Sequence, residues 1–337
     1  MNTMKPLISA GVGLLALAAT LPAAPLQREH LPADAKWLLH LDLDSFRTTQ
    51  LGQFVCQEIL DKQLAKPMAD LKLYLNLDLD WRKVNSLTAF GVDYDSKSRD
   101  NGVLVLRSTL QIQDTFESFL KRQADAAPPD GGPLKKLASA PAPMYSINNQ
   151  LMVALPGKDL VLLSKSRAQV ERASEVLAGQ RPNLAANQAF SGYPPAPGAF
   201  FFMGLAEALN QDAKLPPQAN VLKMANGGRL IMGEKKDQLY LQLALRAKSP
   251  EVTQQIQQVM QGLIALLSLS QSENQDLMSL VKATTVQSDK ELVTVQVDYP
   301  VEKVVEKIAA GVRYRMHGPP KSHGKAAEKP AAEEETP

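Results

Sequence analysis

Three residues near the start of the chain have types and spacing that could do chemistry. His40, Asp42 and Asp44 fall at alternate positions in the run Lys36-Trp37-Leu38-Leu39-His40-Leu41-Asp42-Leu43-Asp44. Alternation in an extended strand places such residues on one face, here the face opposite Trp37, Leu39, Leu41 and Leu43. An imidazole with two carboxylates is a partial shell for a divalent ion. Two carboxylates by themselves are the acid and base of glycosidase-type hydrolysis. The plainer account is a solvated strand face whose end, Asp44 or Ser45, turns the chain into a helix. On that account no metal is held, no residue is catalytic, and Asp42→Asn with Asp44→Asn shifts stability by no more than about 1 kcal/mol, as surface changes do.

The rest of the chain offers little to complete either shell. The histidines are His30, His40, His317 and His323, and only His40 falls within strongly patterned sequence. Ser-His-Asp catalysis and His-rich zinc sites need more imidazoles than this. The sequence contains no H-E-x-x-H, G-x-S-x-G, P-loop or C-x-x-C. Ser-x-x-Lys occurs at Ser118/Lys121, Ser279/Lys282 and Ser322/Lys325, but without the companion Lys-Thr-Gly. Asn76-Leu77-Asp78-Leu79-Asp80 imitates the opening of a calcium loop; Trp81 then stands where glycine is needed and Leu87 where glutamate is needed. Cys56 has no partner in the chain and lies in a helical pattern with Leu51, Phe54, Val55 and Ile59, which makes it a small packed residue. No cofactor is expected.

The elements that position these residues follow from periodicity. Trp37 opens a strand, and a helical pattern follows through Leu51, Val55, Ile59, Leu64, Met68 and Leu71, with Pro67 expected to kink or divide it. Val84 to Val92 and Val103 to Ser108 read as a hairpin, and Ile112, Phe116, Phe119 and Leu120 as the inner stripe of a helix. Short strands at Met144–Ile147, Leu151–Leu155 and Leu160–Leu163 precede a helix ended by Gly179. The order then returns. Phe200 to Met203 matches the Trp37 strand, and Gly227–Met232 with Leu239–Leu245 forms a second hairpin. A helix begun by Ser249-Pro250-Glu251 carries Val252, Ile256, Val259, Leu263 and Leu267 inward. A hairpin around Ser288-Asp289-Lys290 and a helix from Pro300 to Gly311 close the pattern. Gly91 and Gly233, and Leu106-Arg107 and Leu245-Arg246, are paired landmarks. The expected fold is α+β: two similar copies, 31–180 and 199–312, each an antiparallel sheet with helices mostly on one face. A Pro/Gly-rich linker at 181–198 separates them.

With 337 residues, 45% hydrophobic and 21% charged, the chain is long enough for two domains. A net charge of +2 from scattered Lys and Arg gives no footprint for nucleic acid. Residues 1–24 carry one lysine and then the uncharged run Leu7 to Ala19, the order of a secretory signal, with small residues suiting a cut after Ala18 or Ala23. No stable membrane span is expected once it is removed. From 317 to 337 the sequence is Pro, Lys, Ala and Glu, the composition of a disordered tail.

The run Leu31-Pro32-Ala33-Asp34-Ala35-Lys36-Trp37, the following Leu51-Gly52-Gln53-Phe54 and the strand Val84-Asn85-Ser86-Leu87-Thr88-Ala89-Phe90-Gly91 resemble a group of exported bacterial proteins of unknown function. The resemblance implies an exported, duplicated α+β protein and supplies no catalytic residues. The expected function is a non-enzymatic binding or structural module of the cell envelope or periplasm with an unknown protein or envelope partner. The alternative is a carboxylate-dependent hydrolase of an envelope polymer, using Asp42 and Asp44.

Overall fold

A computed structural model describes residues 25–75, 79–94, 101–110, 112–126, 132–139, 141–207, 217–270 and 273–317. The expected leader at 1–24, residues 76–78 of the calcium-loop opening, the Ser322/Lys325 pair and all but His317 of the expected tail lie outside the described residues.

The first half of the chain forms β1 (Trp37–Asp42), α1 (Leu43–Thr48), α2 (Gln50–Val55), α3 (Asp61–Leu75), β2 (Val84–Gly91), β3 (Val103–Ser108) and α4 (Ile112–Ala126). It continues as β4 (Leu134–Leu137), β5 (Met144–Ile147), β6 (Leu151–Ala154), β7 (Leu160–Ser164) and α5 (Arg167–Leu177). The second half forms β8 (Phe202–Glu207), β9 (Ala225–Lys235), β10 (Gln238–Ala247), α6 (Pro250–Ser270), α7 (Gln275–Lys282), β11 (Thr284–Asp289), β12 (Leu292–Pro300) and α8 (Val301–His317). Local chemistry accounts for several boundaries. Lys236 and Asp237, both at positive φ, make the two-residue turn between β9 and β10, and Asn148 and Asn149, also at positive φ, open the three-residue turn between β5 and β6. Ser166 caps α5, and Gly179 follows its end at φ 71°.

The strands form one antiparallel α+β sheet in the order β11-β12-β10-β9-β8-β1-β2-β3-β7-β6-β5-β4. The seam between the halves is the β1–β8 pair, with Trp37 opposite Ala206 and Leu41 opposite Phe202. Read outward from that seam, each half places its first strand, then its hairpin, then its last strand, then the strand before it. Because antiparallel partners share a face, the register divides the core in two. On one face Leu38, Phe90, Val103, Leu162 and Leu205 pack against Leu31, Leu184, Phe190 and the α5 residues Val170 and Ala173. On the other, Leu41, Phe202, Met232 and Leu239 pack against Leu51 of α2 and Val301, Val304 and Ile308 of α8. Helices α4 and α6 cover that second face further out, through Phe116 against Tyr145 and Ile256 against Leu245 and Val293. Helices therefore lie mostly on one face; α5 is the exception.

Five expectations from the sequence need correction. Pro67 does not divide its helix: it sits inside α3 with its ring exposed. The break comes earlier, at Thr49, whose hydroxyl caps Gly52 N at 2.9 Å, and at the wide turn Cys56–Leu60. Helix α8 runs through Gly311 to His317 instead of stopping at the glycine. The inward side of α6 is Val252, Thr253, Ile256 and Met260 rather than the full stripe, since Val259 is 42% and Leu267 50% exposed. Residues 181–198 are not a free linker. Leu184 and Phe190 are buried, Pro32 bridges to Asn183, and Arg28 donates to the carbonyls of Leu184, Asn187 and Ala189 at 3.2, 2.9 and 2.8 Å. The face of β1 is the fifth correction, and it bears on the site.

Candidate functional site

Strand β1 buries Leu38, His40 and Asp42 and leaves Leu39 47% exposed. The face expected to be solvated is the covered one. His40 is 2% exposed and Asp42 4%, because the N-terminal segment from Pro25 and the 184–190 segment close over that side of the sheet. Each polar group is matched on arrival. The His40 Nδ1 lies 2.8 Å from the Thr88 hydroxyl, on the residue directly opposite in β2. Asp42 is the N-cap of α1: one carboxylate oxygen accepts from Ser45 N at 2.9 Å and the other from the Ser45 hydroxyl at 2.6 Å. This is the pairing that burial of a polar group demands.

Asp44 does not join them. It is the second residue of α1, where it pairs with Arg47 at 2.9 Å and accepts from Asn85 Nδ2 at 2.9 Å. Arg47 in turn donates to the Val84 carbonyl at 2.7 Å, so the three residues fasten the first turn of α1 to the start of β2. The three sequence candidates are therefore split between a buried capping pair and a half-buried clamp. Among the described residues no group of three or more His, Cys, Asp and Glu side chains is placed to hold a metal ion.

His30 belongs to the body too, which the sequence reading missed. It ends a single helical turn, Arg28–His30, and borders a cavity of about 20 Å³ with His40, Ser86, Thr88, Gln27 and Arg107, room for about one water molecule. Arg107 donates to Gln27, lies 3.5 Å from His30 Nδ1 and pairs with Asp159 at 3.8 Å. Burial, and then the Arg107 charge, hold the His30 imidazole below the usual histidine range, so it is the neutral ring that packs here. Chemically this is a strap fastened to β3, with no space for a substrate.

Asp42→Ala tests the corrected geometry. Alanine removes both acceptor oxygens and leaves Ser45 N and its hydroxyl without them in a buried place. The expected loss is about 1 to 2 kcal/mol, the range of a good N-cap. Thermal unfolding of the single variant reads it, and a change near zero would return Asp42 to the solvated account.

The largest apolar exposure lies elsewhere. Leu266, Leu267 and Leu269 at the end of α6 are 61%, 50% and 78% exposed, and Leu280 of α7 is 39% exposed. From Val252 to Ser272 there is no charged residue; Glu251 and Glu273 bound the stretch. That charge-free run is the sequence signal for the surface.

No family model matches the chain, and no curated protein matches it. Among solved structures, crystal form IV of TP0453 is similar over 86% of this chain and 97% of that one, at 11% identity and a TM-score of 0.44. Crystal form III of TP0453 is similar over 87% and 99%, at 10% identity and a TM-score of 0.43. At these values the likeness carries no argument about function.

Proposed function

We propose that this chain is an exported, non-enzymatic module of the cell envelope, built from two fused copies of one α+β unit, which binds a protein partner through the end of α6. One observation carries the reading: three leucines that are half or more exposed stand together at the end of a helix with no charge over 21 residues, counting Val252 to Ser272 inclusive. Exposed apolar surface of this kind marks interaction sites, and charged residues are depleted at the core of protein interfaces. The outward order of strands from the β1–β8 seam supports the fused copies, and the residues 1–24 support export.

The test is a photo-cross-linking residue at Leu267, introduced into the full chain in living cells and followed by fractionation. A discrete adduct in the envelope fraction is expected, and Leu266→Gln with Leu269→Gln should abolish it while the melting temperature holds. An adduct that survives those changes, or recovery of the protein only from the cytoplasm, would overturn the proposal.

A further inference from the structure

We infer that the partner at this end of the molecule is a second copy of the chain, added strand to strand at the β11 edge. This rests on the α6 surface being a binding surface and names what binds it.

Among the described residues the row of twelve strands has two open edges, β4 and β11. An open edge presents unpaired main-chain donors and acceptors, and proteins blunt such edges with short strands, lysine or proline. The β4 edge is blunted in this way: four residues, Leu134-Lys135-Lys136-Leu137, with Pro133 before them. The β11 edge is not. Its six residues, Thr284-Thr285-Val286-Gln287-Ser288-Asp289, contain no lysine or proline, and the one charge stands at the end. It pairs on one side with β12, and Thr285, Gln287 and Ser288 are exposed.

The helix that carries the exposed leucines packs over this edge. Helix α6 packs over β11 as well as β10 and β12, the Ser288 hydroxyl donates to Gln257 of α6 at 2.7 Å, and α7 leads directly into β11. A second copy related by a two-fold axis perpendicular to the sheet pairs this edge with itself and continues each face of the sheet, so the helices α6 and α7 of both copies lie on the same face.

The strand is self-complementary in the register this requires. Faces are kept only when residues of equal parity meet, so Val286 lies opposite Val286 of the other copy, Thr285 opposite Gln287 and Thr284 opposite Ser288. No charged residue falls within that register. The chain already joins its own halves by an antiparallel pair of this kind, β1 with β8.

Thr285→Lys with Gln287→Lys is the discriminating variant, since both positions are exposed and the monomer keeps its fold. The full chain is expected to sediment as a dimer. The double variant should sediment as a monomer with an unchanged circular-dichroism spectrum, its dimer weakened by at least about 100-fold and partly restored by salt. Thr285→Cys with Gln287→Cys should give a disulfide-linked dimer on oxidation, and Lys135→Cys at the other edge should not. A wild-type chain that stays monomeric, or a dimer indifferent to the lysines, overturns the inference. If the chain is monomeric and Leu267 still cross-links a different envelope protein, the second copy is wrong and the binding-module reading stands. If Leu267 yields no adduct of any kind, the reading beneath it falls as well.

Discussion

Leu38→Ala is expected to destabilise the protein by roughly 2 to 5 kcal/mol, and Leu39→Ala, one residue later, by less than about 1 kcal/mol. Leu38 is fully buried between Phe90 of β2 and Leu205 of β8, its direct neighbours across the two ladders, and truncating it leaves a cavity walled by three adjacent strands and the 184–190 segment. Leu39 stands on the opposite face with nearly half its surface in water. The amino-acid change is identical, so the difference isolates the face. Urea unfolding of the two variants reads it through the shift in midpoint at constant slope. Equal losses, or a larger loss for Leu39, would mean that β1 presents the face its hydrophobic alternation suggests.

Gly52→Ala is expected to cost about 3 kcal/mol, the upper end of what overpacking does. A Cβ at Gly52 would stand 1.7 Å from the Phe46 carbonyl oxygen and 2.9 Å from the Thr49 hydroxyl. The first of these is main chain, which no side-chain rotation relieves. The α1–α2 corner closes there because Thr49 N and its hydroxyl both donate to the Phe46 carbonyl, at 3.0 and 2.7 Å, and only glycine lets the next helix start so close. Gly262, inside α6, supplies the control, since a Cβ there meets nothing within 4 Å. Gly262→Ala should therefore stabilise by about 0.5 to 1 kcal/mol, as glycine removal from an exposed helix does. The two melting temperatures should move in opposite directions; a shared direction would refute the α1–α2 corner as described.

The sequence was legible wherever neighbours along the chain decide the structure. The β9–β10 hairpin, its Lys236-Asp237 turn, the Ser166 cap of α5 and the Phe116 stripe of α4 all depend on residues within one turn or one ladder. Three features depend on distant residues instead. The covered face of β1 carries His40 and Asp42 because Thr88 and Ser45 are waiting for them, and because β1 is central, with protein on both sides. Hydrophobic alternation then no longer tells inside from outside. The 181–198 segment looks like a spacer by composition and is fixed by Arg28 and by the Arg229 bond to the Pro194 carbonyl at 2.6 Å, neither of which composition reveals. Leu267 of α6 continues the helical spacing of a core stripe, yet it is half exposed, and the packing of α6 on the sheet is carried by Val252, Ile256 and Met260.

The seam at the centre of the sheet also governs how the chain can fold. Trp37 meets Ala206 and Leu41 meets Phe202 across β1 and β8, so the middle of the molecule is made from segments that emerge far apart in time from any source of the chain, ribosome or secretion channel. Contacts so distant in sequence are slow to form, since chain entropy is lost before they repay it. Until β8 arrives, the first half holds β1 as a bare, lysine-free edge with Leu39 and Leu41 on its flank, a template for the wrong strand. A chaperone that keeps the chain extended until both halves are present would be protecting β1 above all, and a truncated chain lacking β8 would aggregate from its own centre outward.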